Sequence, residues 1–305
     1  MNSALAEVIP AVRRLRIPVT RDQAMLLLIA VNLFFLGGET YLAHSISGTI
    51  VPREWIPILF GPLSGALLLV AGLVARRRRM TANLIATLVF AASAAVGILG
   101  TVYHWVRWVL PNAAAGERFQ VLLILYAPPL LAPATFALVG LMGLSAAWHE
   151  RPVDSGQLIL PGGLRLHMPY SKSQAYFLLV AAGTLITLIS SVVDHALTHF
   201  ENPWVWVPVV TGVFATAVFF ALGFTAHPGR ADLTTYTAAA ALLLLTGAAG
   251  FGLHVWRNTY GLGGFVIERF IRGAPAFAPL LFANMGLFAL IVLLEPEPDA
   301  IPPAG

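Results

Sequence analysis

Cysteine is absent from this 305-residue chain. That removes disulfides, thiolate metal sites and cysteine nucleophiles. With no C-x-x-C-H it also removes covalently attached c-type haem. Charge is scarce: 10% of residues are Asp, Glu, Lys or Arg against 58% hydrophobic, where soluble domains carry about 25% charged residues. Mean hydropathy is +0.81, so the chain reads as an integral membrane protein. The glycine loops of kinases, P-loops and dinucleotide folds are missing. The net charge of +4 comes from basic residues set between apolar stretches, not gathered on one face, which gives no indication of nucleic-acid binding.

What is present is long apolar runs. A span needs roughly 20 such residues, and eight stretches qualify, near 23–45, 57–75, 81–104, 119–147, 174–197, 205–225, 232–255 and 272–294. The first follows Arg13, Arg14, Arg16 and Arg21 and ends without a small-residue cleavage site, so it reads as a retained helix. Arginine and lysine set orientation. With the N-terminus inside, Arg13, Arg14, Arg16, Arg21, Arg76 to Arg79, Arg151, Arg165, Lys172 and Arg230 are cytoplasmic, and Arg53, Arg107, Arg118, Arg257, Arg269 and Arg272 lie outside. Trp55, Trp105, Trp108, Trp204, Trp206 and Trp256 then form an outer aromatic belt. This predicts a multi-pass protein of a bacterial-type inner membrane with both termini cytoplasmic.

The halves match. Glu39…His44, Gly97…Gly100…His104…Arg107 and Glu117-Arg118-Phe119 are answered by Asp194…His199, Gly247…Gly250…His254…Arg257 and Glu268-Arg269-Phe270. Trp55-Ile-Pro57 matches Trp206-Val-Pro208, and Ala127-Pro128 matches Ala278-Pro279. An internal duplication fixes architecture before anything else does. The expected fold is all-α, with eight transmembrane helices in two duplicated four-helix bundles related by a parallel pseudo-two-fold axis. Its segments are a cytoplasmic N-terminal segment (1–22), a first repeat (23–147), a cytoplasmic linker (148–173), a second repeat (174–294) and a cytoplasmic tail (295–305). Within the linker, Gln157-Leu-Ile-Leu and Leu164-Arg-Leu-His alternate about Pro161-Gly-Gly, a hairpin pattern.

Every duplicated cluster falls at the outer ends of helices, where ionisable groups close to lipid tend to be functional. Histidine with carboxylate suits iron, copper, zinc or manganese, and helical bundles hold such ions with inward side chains. The first expectation is therefore a metal centre for redox or oxygen-linked chemistry. Its ligands would be Glu39, His44, His104, Glu117, Asp194, His199, His254 and Glu268. Arg107, Arg118, Arg257 and Arg269 would hold anions or orient ligands. His195, on the face of His199, is an extra ligand or a proton-carrying catalytic residue. One geometric objection stands. Residues five apart point about 140° away from each other on a regular helix, so Glu39 and His44 share an ion only if the helix loosens near Gly37-Gly38.

The second expectation is haem b held by His44 with His104 and His199 with His254, the same arginines taking the propionates and the glycines giving room or plain helix packing. The eight-helix tandem design with four outward histidines resembles the haem A synthase family in helix count, duplication and membrane side. That resemblance implies haem-linked chemistry; the family carries its histidines on even-numbered helices with a different glutamate spacing, and here they are on odd-numbered ones. The third is a non-catalytic subunit or permease with an Arg–carboxylate scaffold. Pro128, Pro129 and Pro133, with Pro275 and Pro279, would supply broken helices, yet no charged path crosses the core. The partners implied are the lipid bilayer and other membrane or periplasmic redox subunits.

Overall fold

The computed structural model describes residues 4–14, 19–75, 77–109, 129–260 and 266–296. The elements in order are α1 (Ala4–Val8), α2 (Arg21–Ser47), α3 (Trp55–Ala75), α4 (Arg79–Val109) and α5 (Ala134–Ala147). A small sheet follows: β1 (His149–Glu150), β2 (Gln157–Ile159) and β3 (Arg165–His167). Then come α6 (Lys172–Ala196), α7 (Trp206–Gly223), α8 (Arg230–Thr259), α9 (Ile267–Arg272) and α10 (Leu280–Val292).

Local sequence dictates where the helices begin. Thr20 and Ser171 accept the backbone N–H of Gln23 and Gln174, whose side chains return the bond, the reciprocal box that satisfies otherwise orphaned donors. At α5 and α10 the starts are set by Pro133 and Pro279, which stand just before the first helical residue. A proline has no N–H to give and is best accommodated in a first turn.

Among the described residues six helices are long and apolar enough to cross a membrane, α2, α3, α4, α6, α7 and α8, which suits a multi-pass membrane protein. The sequence pattern predicts eight. The other two, α5 and α10, have 14 and 13 residues and reach roughly 20 Å each at 1.5 Å per residue, short of a bilayer core. The prolines that precede them are the physical reason. The rest of the span expected at 119–147 lies largely outside the described residues.

Neighbouring helices pack in a closed order. In the first half α2 lies on α3, α3 on α4, α4 on α5 and α5 on α2; in the second, α6, α7, α8 and α10 do the same. Contacts of α5 with α6 and of α2 with α10 join the halves through one apolar core that includes Met25, Leu33, Phe90, Met142, Phe219 and Phe288.

At one end this junction is ionic. Asp22 accepts from Lys172 Nζ at 2.5 Å and Tyr176 Oη at 2.9 Å, and Lys172 Nζ also donates to the Trp148 carbonyl at 2.7 Å. Arg21 donates to Ser173 Oγ at 2.7 Å, and Glu150 accepts the backbone N–H groups of Lys172 and Gly156, both at 2.8 Å. Arg21, Asp22, Lys172, Tyr176 and Glu150 are all buried. Both cations lie against Asp22, Arg21 Nε at 3.6 Å and Lys172 Nζ at 2.5 Å, while Glu150 is held by backbone N–H groups. Arg21 and Lys172, read from sequence as orientation signals, therefore also tie α2 to α6.

Candidate functional site

At the opposite end, α2 and α4 each pack on both α3 and α5, so they face each other diagonally. His44 of α2 and His104 of α4 meet there, ring centroids 6.4 Å apart and planes at 62°. The second half repeats this with α6 and α8: His195 and His254 lie 6.5 Å apart with planes at 87°. The four rings are partly buried.

The second histidine of each pair is held by a backbone gap. His104 Nδ1 bonds the Pro129 carbonyl at 2.8 Å, and His254 Nδ1 bonds the Pro275 carbonyl at 2.9 Å. In a continuing helix each carbonyl would receive the N–H four residues on. Those residues are Pro133 and Pro279, which have none. The Pro-x-x-x-Pro sequences thus leave each carbonyl only a turn bond, from the Ala132 N–H at 3.4 Å or the Ala278 N–H at 3.2 Å, and histidine donates to it as well. Since a carbonyl only accepts, Nδ1 carries the proton and Nε2 keeps the lone pair in each ring. His44 Nδ1 is likewise bonded to the Thr40 carbonyl at 2.8 Å.

The repeated glycines serve this packing. A Cβ on Gly100 would stand 2.7 Å from Pro133 Cβ, and one on Gly250 would stand 2.7 Å from Pro279 Cβ. Gly97 and Gly247 meet the backbone of Ala137 and Ala283 in the same way. They bring α4 onto α5 and α8 onto α10; the space they clear is filled by these helices.

Beside the first pair, Glu54 places Oε1 3.9 Å from His44 Nε2 and 3.9 Å from Arg107 Nη1, while its Oε2 accepts the Val51 N–H at 3.0 Å. Beside the second pair, Asp194 interacts electrostatically with His254. Buried Asn258 exchanges two bonds with Ala274, at 2.7 and 3.1 Å, and so fixes the residue next to Pro275. Sequence reading passed over both Glu54 and Asn258. The Pro-x-x-x-Pro spacing was the available signal for the carbonyl anchors.

Several expected ligands lie elsewhere. α2 is regular through Gly37-Gly38, so Glu39 does not share the face of His44. Gly37 is in contact with Pro62 of α3 instead. His199 lies beyond the end of α6 with φ of 50° and is exposed; the pairing with His254 belongs to His195. Glu268 is exposed and pairs with Arg272 of its own short helix. Arg257 is exposed and Arg269 half-buried, while Glu117 and Arg118 lie outside the described residues. Ala127-Pro128 also gives way as the match: Pro133 and Ala137 occupy the places of Pro279 and Ala283. Among the described residues no three His, Asp or Glu side chains converge as a group able to hold a metal ion.

No family model, curated protein or solved structure matches the chain.

Proposed function

We propose that the chain is a multi-pass inner-membrane protein of two parallel four-helix repeats that binds one haem b per repeat and passes electrons at its outward face. The observation that carries this reading is the ring spacing. Two imidazoles bound through Nε2 on opposite sides of one metal set their centroids about 6.3 Å apart, from metal–nitrogen bonds of about 2.0–2.1 Å and roughly 1.1 Å from nitrogen to ring centre. The pairs stand at 6.4 and 6.5 Å. The donor chemistry agrees, because His104 and His254 keep their lone pairs on Nε2, and a backbone bond at Nδ1 both orients a ligating ring and raises its basicity.

Haem bound there supplies a one-electron couple whose potential follows its axial ligands, hydrogen bonds and burial. The residues of the chain hold and tune it. His44 with His104 and His195 with His254 would hold the group, Arg107 and Arg257, three residues past the α4 and α8 histidines, would meet its propionates, and Glu54 would add negative charge beside the first pair. Both pairs occupy the same ends of their helices, the ends opposite Arg21 and Lys172. Electrons therefore enter and leave on one side, with other membrane or periplasmic redox proteins as partners.

An absorption spectrum and iron analysis of one detergent-purified sample test this. The expected result is a Soret band with sharp reduced α-bands and about two irons per chain, as two axial pairs require. Iron or copper without that band would overturn the haem assignment, and the absence of both signals would overturn metal binding at the histidine pairs altogether.

A further inference from the structure

The sheet between the two halves carries an uncovered apolar face. β1 pairs with β2 through His149↔Ile159 and Glu150↔Leu158, and β2 with β3 through Leu158↔Leu166 and Ile159↔Arg165. Directly opposed residues share a face. Glu150, Leu158 and Leu166 therefore point one way, and His149, Ile159 and Arg165 the other. The first face is turned to the protein, since Glu150 is 8% and Leu158 1% exposed. It does not end at the protein's edge. On the outermost strand Leu166 is 43% exposed and Leu164, two residues before it on the same face, 68%.

The Pro161–Gly163 turn just before β3 packs against α4, and the start of α4 is the end that leaves the apolar layer. Its flank there is also bare, with Met80 72% and Leu84 49% exposed. Arg77 and Arg78 are exposed at the same level. The two acidic residues of the sheet segment are already engaged: Glu150 by backbone N–H groups and Asp154 by Ser173 Oγ at 2.8 Å. The surface is thus apolar where it meets the lipid-facing flank of α4 and basic around it.

We infer that the Leu164–Leu166 edge of this sheet is a lipid-contact surface, seated in the headgroup layer on the Arg77 side of the bilayer and favoured by anionic lipid. Leucines on the membrane-facing side of the strand bury apolar area against the acyl boundary, while neighbouring arginines meet lipid phosphate. The sheet then serves as a fixed float between the halves, holding the α5–α6 junction at one depth.

The chain's lack of cysteine makes the test direct. Leu164→Cys, Leu166→Cys and Gln157→Cys variants, each labelled with an environment-sensitive fluorophore, are placed in nanodiscs of phosphatidylcholine with or without phosphatidylglycerol. Shallow spin-labelled lipids are expected to quench the label at 164 and 166 by at least twofold more than at 157, with a blue-shifted emission that grows with phosphatidylglycerol. Labels at 164 and 166 that stay water-like and unquenched overturn the inference, and so does quenching equal at all three positions. A face reserved for a protein partner gives the first of these results. Quenching indifferent to lipid charge overturns the anionic preference.

Discussion

The two halves share a histidine pair, its carbonyl anchor and its glycine packing, and differ in the polar groups beside it. His44–His104 and His195–His254 have almost equal ring separations, and both anchor the α4 or α8 histidine on a carbonyl that a proline four residues on deprives of its helical N–H. Around the first pair stand Glu54 and Arg107. Around the second stand Asp194 and the Asn258–Ala274 bonds. What recurs is the means of presenting an imidazole Nε2; what varies is the charge and rigidity near it. On the proposed haem reading, this difference would give two centres of one ligand chemistry separate potentials.

The largest effect should come from removing a ligand. His104→Ala and His254→Ala are each expected to abolish one centre, leaving about half of the haem absorbance, and the double variant none, since axial ligation supplies the site. Haem per chain by the pyridine haemochrome method checks this. Equal and complete loss in either single variant would show one shared centre rather than two.

Next comes the anchor. Pro133→Ala or Pro279→Ala restores an N–H that competes with histidine for the Pro129 or Pro275 carbonyl, so haem retention in that half should fall by about tenfold, the lower end for loss of a ligand-orienting bond. Retention is measured by transfer of haem to an acceptor protein. If only one of the two prolines matters, the comparison between halves breaks at the anchor.

Asn258→Ala should act on the second half alone, costing about 1–3 kcal/mol of local stability through two lost bonds at a buried site. Hydrogen exchange near Ala274, with the first-half sites unchanged, is the readout. The smallest effect should be that of Glu54→Gln. A neutral side chain 3.9 Å from His44 Nε2 no longer stabilises the oxidised centre, so the first-half midpoint potential should rise by on the order of tens of millivolts in a redox titration while the second stays fixed.

The six long helices were legible because hydropathy and length suffice. The Gln157–His167 hairpin was legible from its alternation. The register of the second site was not. Asp194 and His199 repeat the composition of Glu39 and His44, and that likeness drew the pairing. The spacing that carries Trp55 onto Trp206 instead carries His44 onto His195, one helical turn earlier and on a continuous helix. Composition says which residue types recur, whereas a shared site demands that they recur on the same helical face. Glu54 has no counterpart in the second half, where Val205 stands at the matching spacing, so a search for repeated residues passes it by. The buried Asp22–Lys172 contact was hidden for a different reason. Charges at helix ends read as orientation signals, and only the fold brings α2 and α6 together.

The central claim is the identity of the four paired histidines, and comparing His195→Ala with His199→Ala tests it most directly. Low-temperature electron paramagnetic resonance of the oxidised protein reports each bis-histidine centre as a low-spin ferric signal. The account predicts that His195→Ala removes the second-half signal and His199→Ala leaves both. Loss of a centre in His199→Ala with both intact in His195→Ala would contradict it.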